Sequence, residues 1–139
     1  MSQPTKTIKS NGTIEYRLNG NRHRTDGPAL IYPGSYQAWY LNGELHREDG
    51  PALIYLTGSQ AWYLNGKRHR TDGPAATYAD GRQFWYINGE LHREDGPAVV
   101  YQDGSQAWYL HYIQYSYKEW LELVKDPIKR KWVEHVTTY

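Results

Sequence analysis

Asp49-Gly50-Pro51-Ala52-Leu53-Ile54-Tyr55-Leu56-Thr57-Gly58-Ser59-Gln60-Ala61-Trp62-Tyr63-Leu64-Asn65-Gly66-Lys67-Arg68-His69-Arg70-Thr71 is a unit of 23 residues, and Asp72-Gly73-Pro74-Ala75 begins it again. Trp39, Trp62, Trp85 and Trp108 keep this period, as do His23, His46, His69 and His92, and Asp26, Asp49, Asp72 and Asp95. A period of this length marks a repeat architecture, in which one supersecondary unit is stacked on the next. Half a unit precedes the full ones, with Tyr16-Arg17-Leu18-Asn19-Gly20 standing for Trp-Tyr-x-Asn-Gly, and the pattern stops where His111-Tyr112 replaces Asn-Gly. Units two apart match better than neighbours. Arg22-His23-Arg24-Thr25-Asp26 returns as Arg68-His69-Arg70-Thr71-Asp72, and Glu44-Leu45-His46-Arg47-Glu48-Asp49 returns as Glu90-Leu91-His92-Arg93-Glu94-Asp95. Duplication of a two-unit block accounts for this.

Each unit reads as a β-hairpin. Ala-x-x-Tyr and Gln-x-Trp-Tyr-x are short and rich in strand formers. Between them stand Asp80-Gly81, Asp103-Gly104, Thr57-Gly58 or Asn11-Gly12, which suit a two-residue primed turn. Five hairpins predict a mainly β fold: one antiparallel meander of about ten strands over residues 1–110, with a helical C-terminal cap over 111–139. With an even turn, Trp39, Gln37 and Leu41 share a face with Tyr32 and Leu30, and Tyr40, Ala38, Ala29 and Ile31 share the other. The first face is bulkier and is expected to be the buried one. Equivalent residues then lie two strands, about 10 Å, apart. Residues such as Leu53 and Tyr55 are expected to fill the gaps between tryptophans.

Composition agrees with a repeat and excludes several classes. The chain of 139 residues has 14 Tyr and 6 Trp but one Phe, and Leu, Ile, Val and Phe together number 24. So few aliphatics would suggest disorder, but a formal charge of +1 and 15% aromatics argue for a fold with a Trp/Tyr core. No cysteine is present, which removes disulfides, thiolate metal sites and cysteine nucleophiles. No apolar run reaches the roughly 20 residues of a membrane span, and Met1-Ser2-Gln3-Pro4 lacks the basic and apolar parts of a signal peptide. A cytoplasmic protein is expected (host cytoplasm, if the chain is viral), with no cofactor and no metal. The neutral balance argues against nucleic acid.

In the tail, Ser116-Tyr117-Lys118-Glu119 is a capping box, followed by Trp120, Leu121 and Val124 on one stripe. This predicts a helix over 117–125. Asp126-Pro127 ends it and can start a second over 127–136, where Ile128, Trp132 and Val136 recur every fourth residue.

The period, the Gly of the mid-hairpin turn, the aromatic pair before Asn-Gly and the Lys67-Arg68-His69 stretch leading to Gly73 resemble MORN repeats over roughly residues 8–110. The chain is most similar to the divergent W-Y-x-N-G…H-R-x-D-G-P-A variant of bacterial and bacteriophage proteins. It departs from the family at Gly27-Pro28-Ala29, where Gly-x-Gly is usual, and its Tyr-x-Gly-x-Trp spacing is contracted. The resemblance implies a non-enzymatic interaction scaffold that often self-associates.

The recurring His-Arg-x-Asp set could make an acid–base or anion site. Its presence in all four units instead favours a repeated structural job, with Asp in an Asx turn and Arg or His bonding a neighbouring loop. Lys67, Arg68 and Arg70 alternate with Glu44 and Glu48 before them and Glu90 and Glu94 after, a pattern that would defend register. Tyr40, Tyr63, Tyr86 and Tyr109 form a row that is either an interface platform or a tolerant half-wet surface. Base stacking on that row lacks accompanying Lys or Arg. A protein partner is therefore expected to meet Tyr40, Tyr63, Tyr86 and Tyr109 together with Arg47, Arg70 and Arg93. A homodimer through the aromatic face or the Thr5–Ser10 edge is also expected, and an inhibitor of a host defence protein is the specific case. The alternatives are a small-ligand or nucleotide module using the aromatic and His-Arg rows, and an enzyme using one His/Arg/Asp set.

Overall fold

The computed structural model describes residues 2–126 and 128. Antiparallel strands form a meander of 12 strands, followed by one helix, α1 (Tyr117–Lys125), as the repeat and the capping box predict. The sheet runs without crossovers from Thr5–Ile8 through Ile14–Leu18, Leu30–Tyr32, Tyr36–Ala38, Leu53–Tyr55 and onward to Gln106–Leu110 and Ile113–Tyr115. The predicted second helix over 127–136, with Trp132 and Val136, lies outside the described residues.

The turns are assigned the other way round from the sequence reading. The mid-hairpin loops have three residues, not two. Tyr78 donates its N–H to Arg82 O across Ala79-Asp80-Gly81, and Gly81 N–H donates to Tyr78 O with φ +96°. This is the three-residue hairpin loop with glycine in the left-handed region. The loop Pro33-Gly34-Ser35 has the same length, since Tyr32 pairs with Tyr36. The two-residue primed turns are instead the Asn-Gly pairs. Asn65 (φ +50°) and Gly66 (φ +79°) join Tyr63–Leu64 to Lys67–Arg68. Tyr40–Leu41 with Glu44–Leu45, and Tyr86–Ile87 with Glu90–Leu91, form two-stranded ribbons of the same kind. Three ribbons thus flank the main sheet, each pairing the end of the predicted second strand with residues after Asn-Gly that the sequence reading leaves in a loop.

An odd loop reverses the facial assignment, because side chains alternate with a period of two. Leu30 pairs with Ala38, Tyr32 with Tyr36 and Ile31 with Gln37. Leu30 and Tyr32 therefore share a face with Ala38, not with Gln37 and Trp39. Register carries this along the sheet: Glu15, Leu30, Ala38, Leu53, Ala61, Ala76, Phe84, Val99 and Ala107 form one continuous row. We call this side the Tyr face and the other the Trp face. Leu53 and Tyr55 lie on the Tyr face and cannot fill the gaps between tryptophans.

The helix forms where predicted, with Ser116 Oγ accepting from Glu119 N–H at 3.2 Å. Trp120 and Leu123 bury themselves beside Leu110, while Leu121 and Val124 are half-buried against them. At the other end Thr5–Ile8 is exposed throughout and forms an open edge. The chain direction also persists beyond residue 110: His111 (φ +47°) and Tyr112 (φ +72°) make the same turn as Asn-Gly and lead into Ile113–Tyr115.

Candidate functional site

On the Trp face each unit builds the same clamp. Arg70 Cζ lies 3.9 Å from the centre of the Trp62 ring. Its Nε donates to Asp72 Oδ1 at 2.8 Å, and its Nη1 donates to Pro74 O at 3.2 Å. The arginine beside Asp72 holds that carboxyl below its usual range. Arg47 over Trp39 and Arg93 over Trp85 repeat the arrangement at 4.0 and 3.9 Å, and Arg24 lies over Tyr16 at 4.1 Å. The glycine of Asp-Gly-Pro is the floor of the clamp. A Cβ on Gly73 would stand 2.9 Å from Arg70 Cζ, and one on Gly96 would stand 2.6 Å from Arg93 Cζ. Arginine therefore fills the spaces between tryptophans, and Asp pairs with it instead of forming the Asx turn.

Histidine joins one unit to the next. The Nδ1 atoms of His23, His46 and His69 accept from the backbone N–H of Asn42, Asn65 and Asn88, each at 3.0 Å. His92 does the same for His111 at 2.9 Å. At the C-terminal end no fifth arginine follows Trp108. Tyr117 and Trp120 of α1 lie 5.2 and 6.4 Å from its ring, and Trp120 Nε1 donates to Arg93 O at 2.9 Å. The cap thus replaces the next loop. Two open grooves, of about 650 and 590 Å³, run between successive loops over Trp85 and Trp62. No group of three His, Cys, Asp or Glu among the described residues could hold a metal ion.

The Tyr face has three rows. In the outer row Tyr32 and Tyr36 stack at 5.7 Å and Tyr36 meets Tyr55 at 5.6 Å; Tyr32, Tyr55 and Tyr101 are 43%, 39% and 42% exposed. The middle row is the aliphatic one. The third row carries Tyr40, Tyr63, Tyr86 and Tyr109, all half-buried, interleaved with Arg22, Leu45, Arg68 and Leu91. Arg22 bonds Glu15 at 2.8 Å, with Arg17 on the same carboxylate and Lys9 at 3.4 Å. The Arg22 guanidinium, aided by Arg17 and Lys9, outweighs burial and holds Glu15 down at about 2. Arg68 lies between Tyr63 and Tyr86, donating to their hydroxyls at 3.1 and 3.4 Å. The expectation that this face lacks cations is therefore wrong. Nor does Arg70 reach the glutamates of adjacent units; it pairs within its own loop.

The chain matches no protein-family model and no curated protein.

The residues expected to bind a partner do not form one surface. Tyr40, Tyr63, Tyr86 and Tyr109 lie on the Tyr face, whereas Arg47, Arg70 and Arg93 lie on the Trp face with their guanidiniums engaged. The Tyr32–Tyr36–Tyr55 stack belongs with the first group, and the sequence reading placed Tyr32 in the core. The parity of Pro33-Gly34-Ser35 would have exposed it. Arg22 and Arg68 carried a signal too: Arg, Leu, Arg, Leu alternate at positions 22, 45, 68 and 91.

Proposed function

We propose that the chain is a non-enzymatic scaffold that binds another protein through its Tyr face. The observation that supports this is the Tyr32–Tyr36–Tyr55 row of ring contacts, exposed at its ends and on the same face as the Tyr40, Tyr63, Tyr86 and Tyr109 row. Among the described residues α1, the one helix, packs on the last two strands and leaves this face open. Rigid, amphipathic tyrosines suit an interface because they offer large contact area at low entropic cost. The similarity to the bacteriophage variant of the repeat makes an inhibitor or sequestering factor of a host defence protein, acting in the host cytoplasm, the specific form of the proposal. Self-association through this face or through the open Thr5–Ile8 edge belongs to the same reading.

The test is affinity capture from host lysate with the native chain and with a Tyr32→Ser/Tyr55→Ser variant. One protein enriched by the native chain and lost with the variant, at unchanged melting temperature, is the expected result. Equal enrichment by both would sink the proposal. A small-ligand reading has one specific observation of its own, the cavity at Arg68.

A further inference from the structure

Arg22 and Arg68 occupy the same place in the two copies of the duplicated block, yet their surroundings differ. Seven residues before Arg22 stands Glu15, whose carboxylate takes its Nε–H. Seven residues before Arg68 the same strand position is Ala61. Among the described residues Arg68 forms no ion pair. This half-buried guanidinium has a methyl group where its counterpart has a carboxylate, and only the hydroxyls of Tyr63 and Tyr86 offset its burial.

The sheet also dips at this point. First strands of successive units bring Leu30, Leu53, Ala76 and Val99 to one position of the middle row, so Ala76 is the small member. It pairs directly with Ala61, and the two open a cavity of about 270 Å³ lined also by Leu53, Tyr55, Arg68 and Tyr78. Phe84, which pairs with Ala76 on the far side, closes the row again. In the outer row Ser59 lies between Tyr55 and Tyr78, which are two strand spacings, about 10 Å, apart. A separation of that size leaves room for a flat ring between the two tyrosines.

Arg68 lines the cavity, and Tyr63 and Tyr86 bond it from beside the cavity. Two of the five N–H groups of a guanidinium are used on Tyr63 and Tyr86, and the other N–H groups remain to meet an anion. Each tyrosine hydroxyl accepts from Arg68 and keeps its own O–H to donate. Charge-assisted bonds of this kind, from a planar fork to phosphate or carboxylate oxygens, are the strong ones.

We propose that the cavity at Arg68 binds a small organic anion carrying a flat ring, of the nucleoside-monophosphate class. The phosphate meets Arg68, which Tyr63 and Tyr86 hold in place, and the base enters beside Ser59 between Tyr55 and Tyr78. The site shares Tyr55, Tyr63 and Tyr86 with the protein-binding face, and Ala61→Glu and Ala76→Leu leave those tyrosines in place, so either reading can fail without the other.

Calorimetric titration of the full chain with AMP, inorganic phosphate and adenosine tests it. AMP is expected to bind at one site, with phosphate and adenosine each at least tenfold weaker. Two variants close the site while following patterns the chain already uses. Ala61→Glu gives Arg68 the partner that Arg22 has in Glu15. Ala76→Leu restores the residue found at Leu30 and Leu53. Each is expected to weaken AMP at least tenfold without lowering the melting temperature. Absence of AMP binding by the native chain, or binding unchanged in both variants, overturns the proposal. Phosphate binding as tightly as AMP would overturn the ring slot.

Discussion

The two faces of the sheet are built by opposite rules. On the Trp face, His, Arg, Asp, Gly and Trp hold the same positions in successive units and make the same bonds each time. On the Tyr face the two tyrosine rows recur as well, but the middle row between them varies: Leu30, Leu53, Ala76 and Val99 at one position, and Ala38, Ala61, Phe84 and Ala107 at another. In a stacked repeat each unit meets only its neighbours, so the residues that join units must recur. Between the tyrosine rows no such constraint applies, and variation there produces local features such as the Glu15–Arg22 pair and the Arg68 cavity. The invariant side assembles the molecule, and the variable side is where recognition can reside.

The largest effect that sharpens this contrast comes from Glu15, a charge on the variable face that acts structurally. Its carboxyl, near 2, titrates below the ordinary 4.5. Its stabilisation is therefore complete above about pH 4.5 and is lost as pH falls toward 2, a total on the order of 2–3 kcal/mol. Urea melts of the native chain and Glu15→Gln should differ by that amount at pH 7 and converge near pH 2. A gap as wide at pH 3 as at pH 7 would show that Glu15 does not act by charge.

A direct comparison of the faces follows from Arg70→Met and Tyr55→Ser. Arg70 loses a cation–π contact and a carbonyl bond, so about 1–2 kcal/mol should go. Tyr55, 39% exposed at the end of its row, should cost about 0.5 kcal/mol or less. Chemical denaturation reads both, and an equal cost would erase the distinction between an assembling and a recognising face. The smallest effect has the opposite sign. Tyr112 is a bulky residue at φ +72° and is 64% exposed. Replacing it by Gly, the residue of the preceding turns, should stabilise by about 0.5–1 kcal/mol through relief of left-handed strain. A lower melting temperature in Tyr112→Gly would mean that its ring packs on the cap.

The period, the antiparallel meander and the helix over 117–125 were legible because each rests on local chemistry. Asn-Gly and the capping box act within four residues, and an exact 23-residue spacing needs no knowledge of three dimensions. Which dipeptide makes which turn was misread, since Asp80-Gly81 and Asn88-Gly89 carry nearly the same signal. That one-residue error in loop length moved Tyr32 and Leu30 to the wrong face. The arginine clamp was half visible: recurrence of His-Arg-x-Asp pointed to a structural role, but not that Arg47 would cover Trp39 or that a side chain at Gly50 would crowd its guanidinium.

The candidate site was less visible still. Nothing in the run from Ala61 to Arg68 announces a cavity, because its meaning depends on Ala76 arriving opposite Ala61 from the next unit. Repetition and turn chemistry established a β-hairpin repeat with a helical end. Strand pairing determined which residues share a face, which arginine has a carboxylate and which has none. Register and counter-ion placement are relations between distant parts of the chain, and they exist once the strands have met.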